Sequence, residues 1–154
     1  MKKVSSFVFA IALISLILVL LPSNGKGGHL GTYQFMQTGD NRYVLINFWA
    51  SYDAASREEN IRFSEVLKKY DCEAQGLSSV SVSLDDYESL FREVVKNDNL
   101  QFSRIYREKK GFSSELAKEF QLNHKFGNFL IDQDGKIVEK NITPEDLEKR
   151  LKKQ

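Results

Sequence analysis

Apolar and polar positions along the chain change their spacing from one segment to the next. Residues 43–49 form an apolar run, Tyr-Val-Leu-Ile-Asn-Phe-Trp, without period-two alternation. Such a run is typical of a central parallel strand that is covered on both faces. Residues 77–84 instead alternate between serine and an aliphatic residue over most of their length, which predicts a second strand.

Helical spacing follows each of these two strands. After Ala54, apolar residues recur at i, i+3, i+4 and i+7 and predict one buried helix face, made by Phe63, Val66, Leu67 and Tyr70. After the second strand, Asp85 and Asp86 can cap a helix whose expected inward residues are Leu90, Phe91, Val94 and Val95. Strand, helix, strand, helix predicts a parallel strand pair joined by a right-handed crossover.

The second half of the chain carries clear turn and cap signals. Ser113 or Ser114 can cap a short helix that bears Leu116, Ala117 and Phe120. The Asp134-Gly135 pair between two apolar runs predicts a β-hairpin. Thr143 at the N-cap and Pro144 at the first helical position open a last helix, with Leu147 and Leu151 facing inward.

Two short strands complete the predicted elements: one around residues 102–106, and an edge strand over residues 32–36. The resulting order is strand-helix-strand, helix, hairpin, helix. This order predicts an α/β fold with a central mixed sheet, a βαβ unit and a C-terminal hairpin plus helix.

Length and charge restrict the function classes. The chain has 154 residues and a formal net charge of +1, which allows one ordinary domain after a short leader. No basic stripe is present, so the sequence does not indicate a nucleic-acid-binding protein.

The N-terminus has the pattern of a targeting segment. Lys2 and Lys3 precede an almost wholly apolar stretch, residues 7–21, which Pro22-Ser23-Asn24-Gly25 then breaks. We expect residues 1–24 to be a signal peptide or an N-terminal membrane anchor, residues 25–31 a linker, and residues 32–154 the domain. The lysines favour an inside N-terminus, so we expect an exported domain that is periplasmic, membrane-anchored or secreted.

Residues 48–57 read Phe-Trp-Ala-Ser-Tyr-Asp-Ala-Ala-Ser-Arg. This stretch resembles the active-site segment of thioredoxin-like proteins, especially the thiol–disulfide oxidoreductases of the bacterial envelope, which carry Phe-Trp-Ala-x-Trp-Cys-x-x-Cys-Arg. The resemblance extends over roughly residues 30–153. It implies the three-layer thioredoxin-like fold, with its active site at this segment.

The chain departs from that family at the reactive atoms. Asp53 and Ser56 stand at the two cysteine positions, and neither can carry out thiol–disulfide exchange, which needs a thiolate. A carboxylate at position 53 can instead cap the following helix. We interpret Asp53 as the cap and Ser56 as a residue of the first turn; the alternative is a new acid–base or ligand site.

A second departure lies in the loop that precedes the hairpin. The family has a cis-proline there, and by this resemblance Phe126 occupies the proline position. A cis bond before a residue other than proline costs roughly 2.5–4 kcal/mol, so we expect a trans bond and an altered loop. Two losses at one site suggest a lineage without redox chemistry.

Other chemistry is sparse. Cys72 is the single cysteine and stands among acidic neighbours, which raise a thiol pKa; it is either an inert thiol or a reactive one that forms an intermolecular disulfide. The two histidines, His29 and His124, lie in unrelated contexts, so we expect no metal site and no cofactor.

The fold implied by the resemblance should bring aromatic residues together. We expect Trp49, Tyr52 and Phe126 to cluster, with Ala54 and Ala55 beside them, as a groove for an unknown protein or peptide partner. Trp49 is also a candidate for ordinary core packing.

Three functions remain open from the sequence. The first is a non-catalytic thioredoxin-like binding module of the bacterial envelope. The second is an oxidoreductase-related protein that acts through Cys72, and the third is a structural domain with a decayed site. We favour the first, without an enzymatic activity.

Overall fold

The computed structural model describes residues 42–153. The predicted leader (1–24), linker (25–31) and edge strand (32–36) lie outside the described residues. The helices and strands are, in chain order, β1 (Tyr43–Trp49), α1 (Ala54–Lys69), β2 (Leu77–Ser83), α2 (Glu88–Asn97), β3 (Arg104–Arg107), α3 (Glu115–Glu119), β4 (Gly127–Asp132), β5 (Ile137–Lys140) and α4 (Pro144–Leu151).

The strands form one mixed sheet in the order β3-β2-β1-β4-β5. Strand β1 runs parallel to β2 and antiparallel to β4, and every residue of β1 after Tyr43 is buried. The prediction of a central strand covered on both faces is therefore confirmed. The predicted α/β fold with a βαβ unit and a C-terminal hairpin plus helix is also confirmed.

Alternate residues of β1 enter two different apolar cores. Val44, Ile46 and Phe48 pack with α3 on one face of the sheet. Leu45 packs on the other face with α1 and α4, through residues such as Phe63. The sheet is thus the middle of three layers, as the resemblance implied.

Strand β2 has no solvent-facing side, although its sequence alternates. Ser79, Ser81 and Ser83 are buried, because α1 and neighbouring loops cover the face on which they lie. Their hydroxyls are hydrogen-bonded: Ser81 Oγ donates to Asn60 Oδ1 at 3.0 Å, and Ser83 Oγ donates to the Asp85 carboxylate at 2.7 Å. Buried hydroxyls with partners cost far less than unpaired ones, so serine is tolerated there.

The local signals of the second half are confirmed. Ser114 caps α3 by accepting from the backbone N–H of Ala117 at 3.1 Å. Thr143 caps α4, with Pro144 at its start. In the hairpin turn Gly135 has φ +78°, a conformation that favours glycine. The short strand predicted around residues 102–106 is present as β3.

Two expectations for α2 are wrong: its cap and the direction of Leu90. Tyr87 occupies the N-cap position and makes no side-chain cap bond, because the Asp85 carboxylate is bonded to Ser51 and Ser83 instead. Leu90 is 39% exposed rather than inward, whereas Val94 is buried and Phe91 packs against the same cluster. Within residues 42–153, no helix has the length and apolarity needed to cross a bilayer.

The Glu148 carboxylate of α4 bonds to two residues at the end of α1. Glu148 Oε1 lies 2.7 Å from Lys69 Nζ and accepts from the Tyr70 hydroxyl at 2.8 Å. The hydrogen bond from Lys69, followed by that from Tyr70, lowers the pKa of Glu148 to about 2. The folded chain therefore releases the Glu148 proton more readily than the unfolded chain does.

This shift predicts how stability depends on pH. A carboxyl with a lowered folded-state pKa stabilises the fold above its unfolded pKa, and the stabilisation is lost as pH falls through the folded pKa. We expect Glu148→Gln to reduce the free energy of unfolding more at pH 6 than at pH 2.5, measured by urea denaturation. Glu93→Gln, at an exposed glutamate of α2, is the control. Equal losses for Glu148→Gln at both pH values would contradict the assignment.

Candidate functional site

Four loops meet at the end of the sheet where β1 and β2 finish and β4 begins. In the strand register Phe48 lies opposite Gly127 and Trp49 lies opposite Ser83. The carboxyl ends of β1 and β2 therefore adjoin the amino end of β4. This arrangement brings together the loop after β1 (residues 50–53), the loop after β2 (84–87), the turn at residues 111–113 and the loop before β4 (121–126).

Asp53 and Ser56 fold the loop after β1 into the start of α1. Asp53 Oδ1 accepts from the backbone N–H of Ser56 at 2.8 Å, which is an N-cap bond. Ser56 is buried; its Oγ accepts from the backbone N–H of Ala50 at 3.3 Å and donates to the carbonyl of Asp53 at 3.2 Å. The two side chains at the cysteine positions thus hold the loop by hydrogen bonds, and the interpretation of Asp53 as a cap is confirmed.

Asp85 anchors the same loop from the end of β2. Its carboxylate is 1% exposed and accepts from the backbone N–H of Ser51 at 2.9 Å and from Ser51 Oγ at 2.5 Å. Ser83 donates to it as well. The sequence pattern predicted a helix cap at Asp85 and did not indicate this role. The available signal was its position directly after a strand parallel to the one that carries the Phe-Trp-Ala-Ser segment.

Tyr52, Phe112, Phe126 and His124 form a row of rings, called here the aromatic groove. The ring centroids of Tyr52 and Phe126 are 6.2 Å apart, and those of Phe112 and Phe126 are 5.1 Å apart. His124 lies 5.2 Å from Phe112 by the same measure. Tyr52 is 62% exposed. Phe112 was not among the residues predicted for the groove, because no local sequence pattern relates residue 112 to residue 126.

Trp49 does not belong to this groove. Its side chain is fully buried and packs with Val94 and Leu100 beneath α2. Trp49 lies on the α1 side of the sheet because side chains alternate along β1. Its expected place in a binding groove is therefore wrong, and the alternative of ordinary core packing is confirmed.

The loop before β4 has an unusual backbone. Gln121, Asn123 and His124 all have positive φ, at 53°, 47° and 60°, a region that costs residues other than glycine about 1–2 kcal/mol each. Peptide bonds within residues 42–153 are all trans, so the bond before Phe126 is trans, as expected. This loop places Phe126 and His124 in the aromatic groove.

A depression of about 600 Å³ runs from the groove along the first turns of α1. Residues that line it include Asp53, Ala55, Ser56, Glu58, Glu59 and Phe126. Of the two alanines expected beside the groove, Ala55 lines this depression and Ala54 is exposed at the helix start. Burial raises the pKa of Glu59, and the nearby Arg62 opposes that rise.

Cys72 lies away from this site, between the end of α1 and β2. It is 6% exposed, packs in the core with Leu67 and Leu77, and is a free thiol. Burial, followed by the charge of Asp71, raises the pKa of Cys72 to about 11. Low exposure and a raised pKa both disfavour a reactive thiol at Cys72 and agree with the alternative of an inert one. No group of three or more potential metal ligands occurs within residues 42–153.

The burial of Cys72 predicts slow alkylation. A thiol with pKa near 11 has far less thiolate at pH 8 than an unfolded one, so we expect iodoacetamide to react about 100-fold more slowly with the native chain. The measurement compares alkylation rates by mass spectrometry in buffer and in 8 M urea (roughly the concentration that unfolds small domains). Comparable rates in the two conditions would show that Cys72 is accessible and ionised in the fold.

The anchoring role of Asp85 predicts a large stability effect. Asp85→Asn replaces an acceptor-only group by an amide that cannot satisfy all three donors, so we expect a loss of about 1–3 kcal/mol in unfolding free energy. Its neighbour Asp86 is exposed, and Asp86→Asn should change that free energy by less than about 0.5 kcal/mol. Chemical denaturation of both variants makes the test, and similar losses would exclude a specific anchor at position 85.

Comparisons with known proteins agree with this architecture. No family model matches the chain. A solved thioredoxin-like protein from Parabacteroides distasonis is 40% identical; the match covers 76% of this chain and 85% of that one, with a TM-score of 0.68. A solved thiol-disulfide oxidoreductase from Bacteroides fragilis is 28% identical, with coverages of 79% and 85% and a TM-score of 0.64.

Among curated sequences, the thiol-disulfide oxidoreductase ResA of Bacillus cereus is 30% identical over 113 residues. The match covers 71% of this chain and 62% of ResA, so the chain spans less than two thirds of that relative. The 40% identity to the Parabacteroides protein, over most of its length, agrees with the sheet order and with the loops that meet at the end of β1. The chain belongs to the thioredoxin-like family, among relatives that include thiol–disulfide oxidoreductases.

Proposed function

We propose that this chain is an exported thioredoxin-like domain that binds a protein or peptide in the aromatic groove and carries out no thiol–disulfide exchange. One observation carries the proposal. The side chains of Asp53 and Ser56 are bonded to the backbone of their own loop, while Tyr52, which lies in the same loop beside Phe126, is 62% exposed. The loop thus presents an aromatic contact residue in place of a nucleophile.

The number and the burial of the thiols support the proposed lack of thiol–disulfide exchange. The 154-residue sequence has one cysteine, and an intramolecular disulfide requires two. That cysteine is buried with a pKa of about 11 and packs in the core on the α1–α4 side of the sheet. The alternative function through Cys72 therefore has little chemical support, and a Cys72→Ala variant should leave any measured exchange unchanged.

Binding is supported by the exposure and the fixed position of the loop. Tyrosine and phenylalanine are enriched in protein interfaces; here Tyr52 is exposed, and Phe126 is half-buried against the core. The bonds from Ser51 to Asp85 hold the Tyr52 backbone in place before any partner arrives, which lowers the entropic cost of association. The strained residues of the loop before β4 also fit a functional surface, where such conformations concentrate.

The proposed location is the bacterial envelope. Its support is the leader pattern of residues 1–24, two lysines followed by an apolar stretch and a helix-breaking segment. Periplasmic, membrane-anchored and secreted forms all agree with that pattern. We propose no nucleic-acid partner, because the charges of the sequence are balanced.

Crosslinking with affinity capture from native envelopes tests the proposed function. The wild-type chain is compared with Tyr52→Ala/Phe126→Ala, which removes two rings of the groove. Val138→Ala, at an exposed apolar side chain on β5, is the control. We expect a partner that is captured by the wild type and by Val138→Ala and is reduced at least about tenfold with the double variant.

Folding of the variants is checked by circular dichroism and thermal unfolding. A partner captured equally by all three folded chains would place the interaction elsewhere. In that case the loops at the carboxyl end of β1 would be a structural relic, in agreement with the third hypothesis, a structural domain with a decayed site.

A further inference from the structure

The carboxylates beside the aromatic groove exceed the cations that can neutralise them. Asp53, Glu58 and Glu59 project from the start of α1 and line the depression, together with Arg62 and Lys125. Arg62 forms an ion pair with Glu145 of α4, a residue outside the depression. Its charge is therefore divided between Glu145 and the nearby Glu59. Three carboxylates thus share Lys125 and part of the charge of Arg62, with His124 also lining the depression.

The neighbouring cation on α1 is engaged in the same way. Arg57 donates two hydrogen bonds to the Asp98 carboxylate, at 2.7 and 2.6 Å, and Asp98 lies at the end of α2. A bidentate guanidinium–carboxylate pair holds its geometry and is directed away from other partners. Arg57 and Arg62 are thus paired with acids of other helices, and the carboxylates of Asp53, Glu58 and Glu59 remain on the depression.

The negative charge extends to the exposed end of the groove. Partial burial, followed by the charges of Asp85, Asp86 and Asp53, raises the pKa of the Tyr52 hydroxyl. Glu59 has a raised pKa as well, principally because of burial. A cationic group that enters the depression would stabilise the charged form of Glu59 and offset part of the cost of its burial.

Aromatic rings complete the pattern. The faces of tyrosine and phenylalanine attract guanidinium and ammonium groups within about 6 Å of the ring centroid. Tyr52 and Phe126 stand 6.2 Å apart beside Asp53. A side chain with an apolar stem and a cationic head can therefore lie against the rings and place its head near the carboxylates.

We propose that the occupant of the aromatic groove is an extended protein segment that carries an arginine or lysine side chain. The rings of Tyr52 and Phe126 hold the stem and the face of the cation, and the carboxylates of Asp53, Glu58 and Glu59 receive its charge. The proposal rests on the proposed function and adds the chemistry of the partner.

Selection from a random dodecapeptide phage library on the purified full chain tests this partner chemistry. The bound peptides are sequenced for the wild type, for Tyr52→Ala/Phe126→Ala, for Glu58→Gln, and for Glu65→Gln. Glu65 is an exposed glutamate on the same helix outside the depression and gives the matched control. Each variant is first shown to fold by circular dichroism.

We expect arginine or lysine to be enriched about fivefold to tenfold at one peptide position on the wild type, the range that one cation–π contact with an ion pair provides. That enrichment should fall about threefold or more with Glu58→Gln and remain with Glu65→Gln. Recovery of the peptides should be lost with the aromatic double variant.

The remaining outcomes separate the two proposals. Peptides that depend on Tyr52 and Phe126 but are neutral or acidic would overturn the cationic partner and leave the proposed function in place. An enrichment that is equally strong on Glu58→Gln would also overturn it. Peptides whose recovery is the same on the aromatic double variant, or a library without enrichment on the wild type, would overturn both proposals.

Discussion

The position of β1 in the sheet is the constraint on which the rest of the structure depends. It pairs with β2 in parallel on one side and with β4 in antiparallel on the other. The carboxyl ends of β1 and β2 and the amino end of β4 consequently lie at the same end of the sheet. Residues as distant in sequence as Tyr52, Asp85 and Phe126 therefore belong to one surface. The apolar run of residues 43–49 secures this arrangement, because it can be buried only between two layers of helices.

Hydrogen bonds of Asp53 and Ser56 hold the loop after β1, at the positions where the resemblance implies cysteines. A helix start leaves unpaired N–H groups, and Asp53 satisfies one of them as a cap. Ser56 and Asp85 add bonds to the preceding residues of the loop. The loop is thus held by side-chain hydrogen bonds at both of its ends. Such a loop suits recognition, since its side chains are already positioned when a partner approaches.

Beneath α1, polar side chains fix how the helix lies on the sheet. Asn47 Nδ2 donates to Asn60 Oδ1 at 2.8 Å, and Ser81 Oγ donates to the same oxygen. All three residues are buried. A buried polar contact is satisfied in one register only, so it orients the carboxylates of Asp53, Glu58 and Glu59 relative to the loops.

The sequence by itself determined the elements whose signals act within a few residues: the buried strand at residues 43–49, the Asp134-Gly135 hairpin, and the caps at Asp53 and Thr143. It also predicted a cap at Ser113 or Ser114, and the structure places that cap at Ser114. Periodicity and capping chemistry are local, so they can be read without the fold. The tertiary structure alone decided which side chains face the surface. It buried Trp49 and Cys72, gave the Asp85 carboxylate to Ser51, and placed Phe112 beside Phe126. These outcomes depend on contacts between distant residues, which only the packing of helices and strands creates.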